Sequence, residues 1–356
     1  MASIFHGASR YEKLIFECVH GRALGATVVL PNTFGYLLHA NPLTGNLDRQ
    51  KIVDAFDALV ESMRTSQVGN GPADAGMTFL GQFIDHDITA DATSAIGTRI
   101  DPADIRNVRT PNLDLDCVYG NGMEASPHLY SQKHKGFMLL GSKENALDLA
   151  RNCEGRALIG DPRNDENIIV SQIQGAFIAL HNILMGAGKK VNDDVSACAQ
   201  MGIRKEVWDT ILPKEQWGFE EVRRFIRLHY QWLILHDFLP AFVTEDAIKL
   251  ALHSDPFGAL APLMPVELSV AAYRFGHATV QPTSRLRKGC DPVKLFDMFG
   301  FSKRAKDGNI EMNQFFDMGD GAVQKALPVG TKMAGTLFDL PDNIVSDELD
   351  WDGLPV

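Results

Sequence analysis

Seven consecutive residues, Gly81-Gln-Phe-Ile-Asp-His-Asp87, gather a carboxamide, an imidazole and two carboxylates in one short stretch. On a helix, Gln82 and His86 stand four apart and Asp85 stands three from Gln82, so the three share a face. Asp87 then points roughly the other way from Asp85. One helix can thus present a polar triad to a pocket and a carboxylate to a second site. The same pattern fits a polar surface helix with a satisfied histidine, which is the common case. Phe79, Leu80, Phe83 and Ile84 weigh against that reading, because they make the segment largely buried.

Three further constellations carry chemistry. The stretch from Asp101 to Gly120, above all Thr110-Pro-Asn112-Leu-Asp114-Leu-Asp116, sets oxygen donors at every second position, where they can converge on one hard cation. Calcium takes six to eight oxygens in a flexible shell. A solvated acidic loop is the alternative, and the EF-hand glycine and terminal glutamate are missing. In Gly160-Asp161-Pro162-Arg163-Asn164-Asp165-Glu166, Arg163 and Glu166 are three apart and share a helix face at its first turn. On a surface they would be an ion pair of little worth. In a pocket they supply a cation that polarises a bound oxygen and a reactive carboxylate. Finally, Tyr273-Arg274-Phe275-Gly276-His277 places a glycine before a histidine. Gly276 costs helix stability, and close approach by another group is a reason for it. Taken alone, His277 reads more often as a core residue than as a ligand.

Helices must position these groups. Ile169, Ile173, Ala176, Phe177, Leu180 and Leu184 recur at helical spacing over 166–185, with Asp161-Pro162 as a start signal and Gly186, Gly188, Lys189 and Lys190 as stops. Val222, Phe225, Ile226, Trp232 and Leu233 predict a helix over 219–238, closed by Pro240. A third is expected from Val266 to Val280 and a fourth over Met77 to Asp87. Long irregular stretches lie between, period-two strands are few, and there is no internal repeat. The expectation is a mainly α, single helical domain with long loops, which in a compact domain usually surround a functional site or ligand.

These segments, in this order, resemble the animal-type haem peroxidase superfamily (myeloperoxidase- and peroxinectin-like), and in particular its bacterial members. GQFIDHDIT at 81–89, TPNLDLDCVYG at 110–120, GDPRNDEN at 160–167 with its helix through LHN at 180–182, and YRFGHATVQP at 273–282 carry the resemblance, with weaker similarity at 229–240. It implies an N-terminal extension over 1–30 and an animal-type haem peroxidase domain over 31–356. That domain would be C-terminally incomplete, since the chain ends before the family's LNxxRxRDHG-type motif, whose asparagine supports the proximal histidine. Asn343 has no matching context. By the resemblance His86 is the distal histidine, Gln82 its neighbour, Arg163 the distal arginine and His277 the proximal ligand of haem b iron. Asp85 and Glu166 match the carboxylates that form ester links to haem methyls, and Arg274 the residue that approaches a propionate. Asn167 stands where the myeloperoxidase branch has a methionine, so at most two covalent links are implied. Asp87, Thr110, Asn112 (through its carbonyl), Asp114 and Asp116 match the Ca2+ site, with Asp116 where vertebrate members have serine. The implied activity is peroxide reduction with a small donor such as a phenol or halide, His86 moving the proton and Arg163 stabilising the departing oxygen. A fatty-acid dioxygenase of the cyclooxygenase kind is the alternative; its radical tyrosine would stand at Arg274, and Tyr273 is one residue off. A non-catalytic binding protein of the same fold is the third reading.

Composition sets outer bounds. The 356 residues are 45% hydrophobic and 22% charged, ordinary globular values. A net charge of -11 argues against nucleic acid or an anionic membrane as the main partner. The cysteines at 18, 117, 153, 198 and 290 are odd in number and lack CxxC spacing, which points to free thiols rather than a disulfide framework or zinc site. The N-terminus does not read as a Sec signal, so a cytoplasmic location or a signal-less export route is expected. No uncharged apolar run is expected to reach membrane-spanning length.

Overall fold

Helical spacing of large apolar residues becomes helix in the places that matter for the site. The structure, a computed structural model, describes residues 34–38, 48–64, 68–90, 107–186, 217–254 and 263–337. In chain order the α-helices are α1 (Arg49–Met63), α2 (Ala75–Ile88), the single turns α3 (Asp116–Tyr119) and α4 (Gly122–Ala125), α5 (Ile168–Gly186), α6 (Phe219–Leu233), α7 (Leu239–Phe242), α8 (Glu245–Leu252) and α9 (Val266–Val270). The only sheet among the described residues is an antiparallel pair, β1 (Thr283–Ser284) and β2 (Val293–Lys294), with Thr283 opposite Lys294. The protein is mainly α. The expected extension over 1–30, the start of the acidic loop at 101–106, Asn343, Cys18 and Cys198 lie outside the described residues. Cys117, Cys153 and Cys290 are free.

The core is a three-helix contact. Phe83 of α2 stacks on Phe177 of α5 with ring centroids 5.1 Å apart, and Tyr230 of α6 meets both rings edge-on at 6.0 and 5.6 Å. Offset stacks and T-shaped pairs satisfy the ring quadrupoles and add to the area buried. Phe79, Leu80 and Ile84 are buried on the same helix. This packing fixes the rotation of α2 and hence where its polar residues point.

Three expectations need correction. The stretch Val266–Val280 is not one helix: α9 ends at Val270, Ala271 breaks the backbone at φ -132° and ψ -72°, and a 3₁₀ turn runs over Ala272–Ala278. Valine, aromatic residues and Gly276 are weak helix formers, and the carbonyl freed at Ser269 accepts from Arg274 Nε at 2.9 Å. The helix over 219–238 is α only to Leu233, Ile234–Phe238 is a π-turn, and Pro240 does not close the helix: it sits in the first turn of α7, which runs to Phe242, where a missing N–H is tolerated. The π-turn delivers Phe238 and Phe242 to the cavity described below. Lastly, α5 is an uncharged apolar run of 19 residues with mean hydropathy 1.5, long enough to cross a membrane, although 67% of its most apolar stretch is buried inside the fold.

Candidate active site

Burial of one face of α2 turns Gln82, Asp85 and His86 toward a cavity of about 420 Å³. Arg163 and Glu166 enter it from the turn before α5, and Tyr273, Arg274, Phe275, Gly276 and His277 from the 3₁₀ turn after α9. Residues from three remote segments therefore meet in one place. Asp161 starts the second segment, accepting from Arg163 N at 3.0 Å ahead of a 3₁₀ turn over Pro162–Asp165, where an α-helical first turn was expected. Gly160 makes the close approach possible: a Cβ there would sit 2.5 Å from the Asp116 carbonyl oxygen and 2.6 Å from that of Cys117.

The cavity's polar residues already hold one another. Arg274 Nη1 donates to Asp85 Oδ2 at 2.7 Å, and Thr89 Oγ1 donates to Asp85 Oδ1 at 2.7 Å. Arg163 Nη2 donates to the carbonyls of His86 (3.1 Å) and Thr89 (2.8 Å) and to Asp161 Oδ2 (2.8 Å). Gln82 approaches Glu166 at 3.5 Å, long for a hydrogen bond. Burial, and then the Arg163 charge, push the pKa of His86 down to about 4, so its ring is neutral at pH 7. His277 is lowered by burial and then by Arg274; no hydrogen bond reaches its ring among the described residues. Burial raises Glu166, against Arg163.

The other face of α2 serves a second site. Asp87, Asp114 and Asp116 each bring an oxygen within 4.8 Å of the others, and these residues are 0%, 4% and 0% exposed. Oδ1 of Asp87 and of Asp114 has no hydrogen-bond partner. Thr110 Oγ1 donates to Asp114 Oδ2 at 2.9 Å, and Leu115 N donates to Asp87 Oδ2 at 3.2 Å. The Asn112 carbonyl accepts from Gln231 Nε2 at 3.1 Å. Burial, then the Asp87 charge, push Asp114 up to about 7. Burial also raises Asp87 and Asp116, the latter against Arg109. Leu113 (φ 53°) and Leu115 (φ 60°) flank Asp114 in the left-handed region, a strained arrangement for residues with a Cβ and typical of a ligand clamp.

Sequence reasoning missed the link between the two sites. Arg109 contacts Asp116 Oδ1 at 3.0 Å and pairs with Asp161, which also holds Arg163. Burial raises the Asp161 pKa, but hydrogen bonds from Arg163 and the Arg109 charge more than offset it and hold the group well below the usual range. Four buried carboxylates, Asp87, Asp114, Asp116 and Asp161, thus gather around the Arg109 and Arg163 guanidiniums, with Arg227 also acting on Asp114. Only tertiary contact brings Arg109 and Asp161 together, 52 residues apart in the chain.

A helical frame closes here on an aromatic-walled cavity with a histidine on each of two different elements, an arrangement that could hold a haem. The residues fit such a group: Phe79, Phe238, Phe242, Phe275 and Phe296 supply apolar wall, and a Cβ on Gly276 would meet nothing within 4 Å, so the space before His277 is open. The chain belongs to the animal haem peroxidase family, which matches residues 92–326. It is 25% identical to the chorion peroxidase of Aedes aegypti over 222 residues, 57% of this chain and 25% of that protein. It is 27% identical to the thyroid peroxidase of Canis lupus familiaris over 165 residues, 43% of this chain and 15% of that one. The chain thus spans a quarter or less of the length of these two relatives. Among solved structures, peroxidase A from Dictyostelium discoideum shares the fold at a TM-score of 0.52 and 14% identity, over 79% of this chain and 62% of that one. A fatty acid alpha-dioxygenase from Oryza sativa aligns at a TM-score of 0.46 and 16% identity, covering 72% and 51%.

Proposed function

We propose that this chain carries the reaction centre of a haem-dependent peroxidase, which reduces hydrogen peroxide and oxidises a small donor such as a phenol or a halide. One observation carries the reading: a neutral His86 and Arg163 line the same cavity as His277. Bound haem would supply the iron and electrons for O–O cleavage. His277 would hold the iron, with Arg274 near a propionate and Asp85 and Glu166 as the carboxylates available for ester links. His86 takes a proton from one peroxide oxygen and returns it to the other as the bond breaks. Arg163 offsets charge on the departing oxygen, and Gln82 adds a polar contact beside His86. A Ca2+ ion on Asp87, Asp114, Asp116, Thr110 and the Asn112 carbonyl would pin α2 from its other face.

The dioxygenase reading has less support. Arg274, not tyrosine, occupies the position three before His277, and the Tyr273 hydroxyl donates to the Gly81 carbonyl at 3.0 Å. The test is the visible spectrum of the chain loaded with haem, before and after peroxide. A Soret band that shifts with peroxide and is lost in His277→Ala is expected. No haem band at stoichiometric loading would sink the proposal.

A further inference from the structure

His86 Nδ1 lies 2.7 Å from Asn164 Oδ1, Asn164 Nδ2 lies 2.8 Å from Gln174 Oε1, and Gln174 Nε2 lies 3.3 Å from the carbonyl oxygen of Cys117. All three side chains are buried, Asn164 and Gln174 at 0% exposure. The last member of this chain is a backbone carbonyl, which can only accept. Gln174 must therefore turn its NH2 toward Cys117 and its oxygen toward Asn164. Asn164 must then donate to Gln174 and offer its own oxygen to His86. Reversing the amides would set the Gln174 oxygen against the Cys117 oxygen and leave both buried acceptors unpaired, at a cost that nothing in the surroundings repays. An oxygen facing Nδ1 requires a proton on Nδ1. In a neutral ring the other nitrogen, Nε2, then carries the lone pair.

We infer that Asn164 and Gln174 are positioning residues that lock His86 in the Nδ1–H tautomer, leaving Nε2 as the atom that accepts the peroxide proton. The inference rests on the peroxidase reading for that last role and on hydrogen-bond polarity for the tautomer. In the step, the O–H bond of hydrogen peroxide breaks, an Nε2–H bond forms, and the electron pair stays on the hydroperoxide oxygen. The opposite tautomer would present an N–H to peroxide and have no base to offer.

The turn explains how both jobs fit in adjacent residues. A 3₁₀ turn spaces its side chains about 120° apart. Arg163 faces the cavity, Asn164 faces His86, and Asp165 is held by Arg151 Nη2 at 2.8 Å. The chain of hydrogen bonds ends on the Cys117 carbonyl in α3, next to Asp116, so the backbone of that turn sets the polarity of the imidazole.

Long-range 1H–15N spectra of the histidine rings in the full, haem-free, 15N-labelled chain test this directly. The His86 signals are assigned by their loss in His86→Gln. The wild-type chain is expected to show a protonated Nδ1 and a bare Nε2. In Asn164→Leu the Nε2–H tautomer should become substantial. In Gln174→Leu, where Asn164 is free to present either end of its amide, a mixture should appear. An Nε2–H His86 in the wild type overturns the inference without any variant, and so does an unchanged Nδ1–H tautomer in both variants. In haem-loaded protein, Asn164→Leu should slow the peroxide-driven Soret change, by at most the roughly 10²- to 10⁴-fold share of a general acid–base group, at unchanged haem uptake. The two proposals fail separately. A locked Nδ1–H tautomer in a chain that takes up no haem sinks the peroxidase reading, and with it the proton-acceptor role. Haem uptake and a peroxide-shifted band with an Nε2–H His86 sink only the tautomer lock.

Discussion

The two faces of α2 solve opposite problems. On the cavity side, Asp85, His86 and Arg163 each have hydrogen-bond partners within the chain and stand ready around open space. On the other side, Asp87, Asp114 and Asp116 are closed in together, and burial raises the pKa of each. The cavity is preorganised; the acidic cluster is where we propose that a cation binds. A site built for chemistry holds its dipoles in place before the substrate comes, whereas a structural metal site can leave the balancing charge to the metal.

The sharpest break on the cavity side is His86→Ala. In haem-loaded chain, the peroxide reaction should slow by roughly 10²- to 10⁴-fold, the usual share of a general acid–base group, with the Soret band retained. An effect under threefold would mean that His86 moves no proton.

The cluster should respond to a cation rather than to peroxide. Calcium at a hundredfold excess over its Kd should stabilise the chain by about 2.7 kcal/mol, read as a Tm rise reversed by chelator. Asp114→Asn should change the sign of the comparison. Without calcium it removes one of three buried carboxyl groups and should raise Tm; with calcium it should gain less than the wild type. A calcium response that survives Asp114→Asn unchanged would place the ion elsewhere.

His86 and Asp114, on opposite sides of α2, also titrate in opposite directions. His86 falls from 6.5 to about 4 on folding, so the unfolded chain binds more protons and stability rises with pH across that window. Asp114 rises from 3.8 to about 7, so the folded chain binds more protons and stability falls as pH rises through the same range. Calcium should remove the second slope and leave the first. Tm measured from pH 4 to 7 should therefore climb more steeply with calcium than without it. Parallel curves would mean that the two faces are not electrostatically distinct.

The smallest expected effect lies on the bridge. Arg109→Leu touches neither peroxide nor, by its side chain, the cavity. It should still slow the peroxide reaction by about twofold to thirtyfold, the range for residues along a coupling network. Additivity with Arg163→Leu would show that the bridge transmits nothing.

Much of this was legible before any coordinates. The Gln82–Asp85–His86 spacing fixes a shared helix face whatever the fold, and Asp87 one residue on must leave it. The alternation over Thr110–Asp116 left a solvated acidic loop open, and the fold brings Asp114 and Asp116 of that stretch together with Asp87. Local periodicity cannot say what lies across a helix, so Asn164 and Gln174 stayed silent: a carboxamide in a motif has no direction until a carbonyl such as that of Cys117 gives it one. Arg109 read as one more charge in an acidic loop. The break at Ala271 and the π-turn before Pro240 escaped because apolar spacing persists through both, while the backbone changes its hydrogen-bond partner.

His86 and Asp87 are consecutive residues on one rigid helix, about 100° apart around its axis. The helix cannot rotate to improve one fit without disturbing the other, so it acts as an axle between two occupants. For the two occupants we propose, thermodynamic reciprocity would apply: any factor by which calcium changed the affinity for haem, haem would return to the affinity for calcium. If both proposed ligands bind, the order in which they arrive alters the path of assembly but not its end.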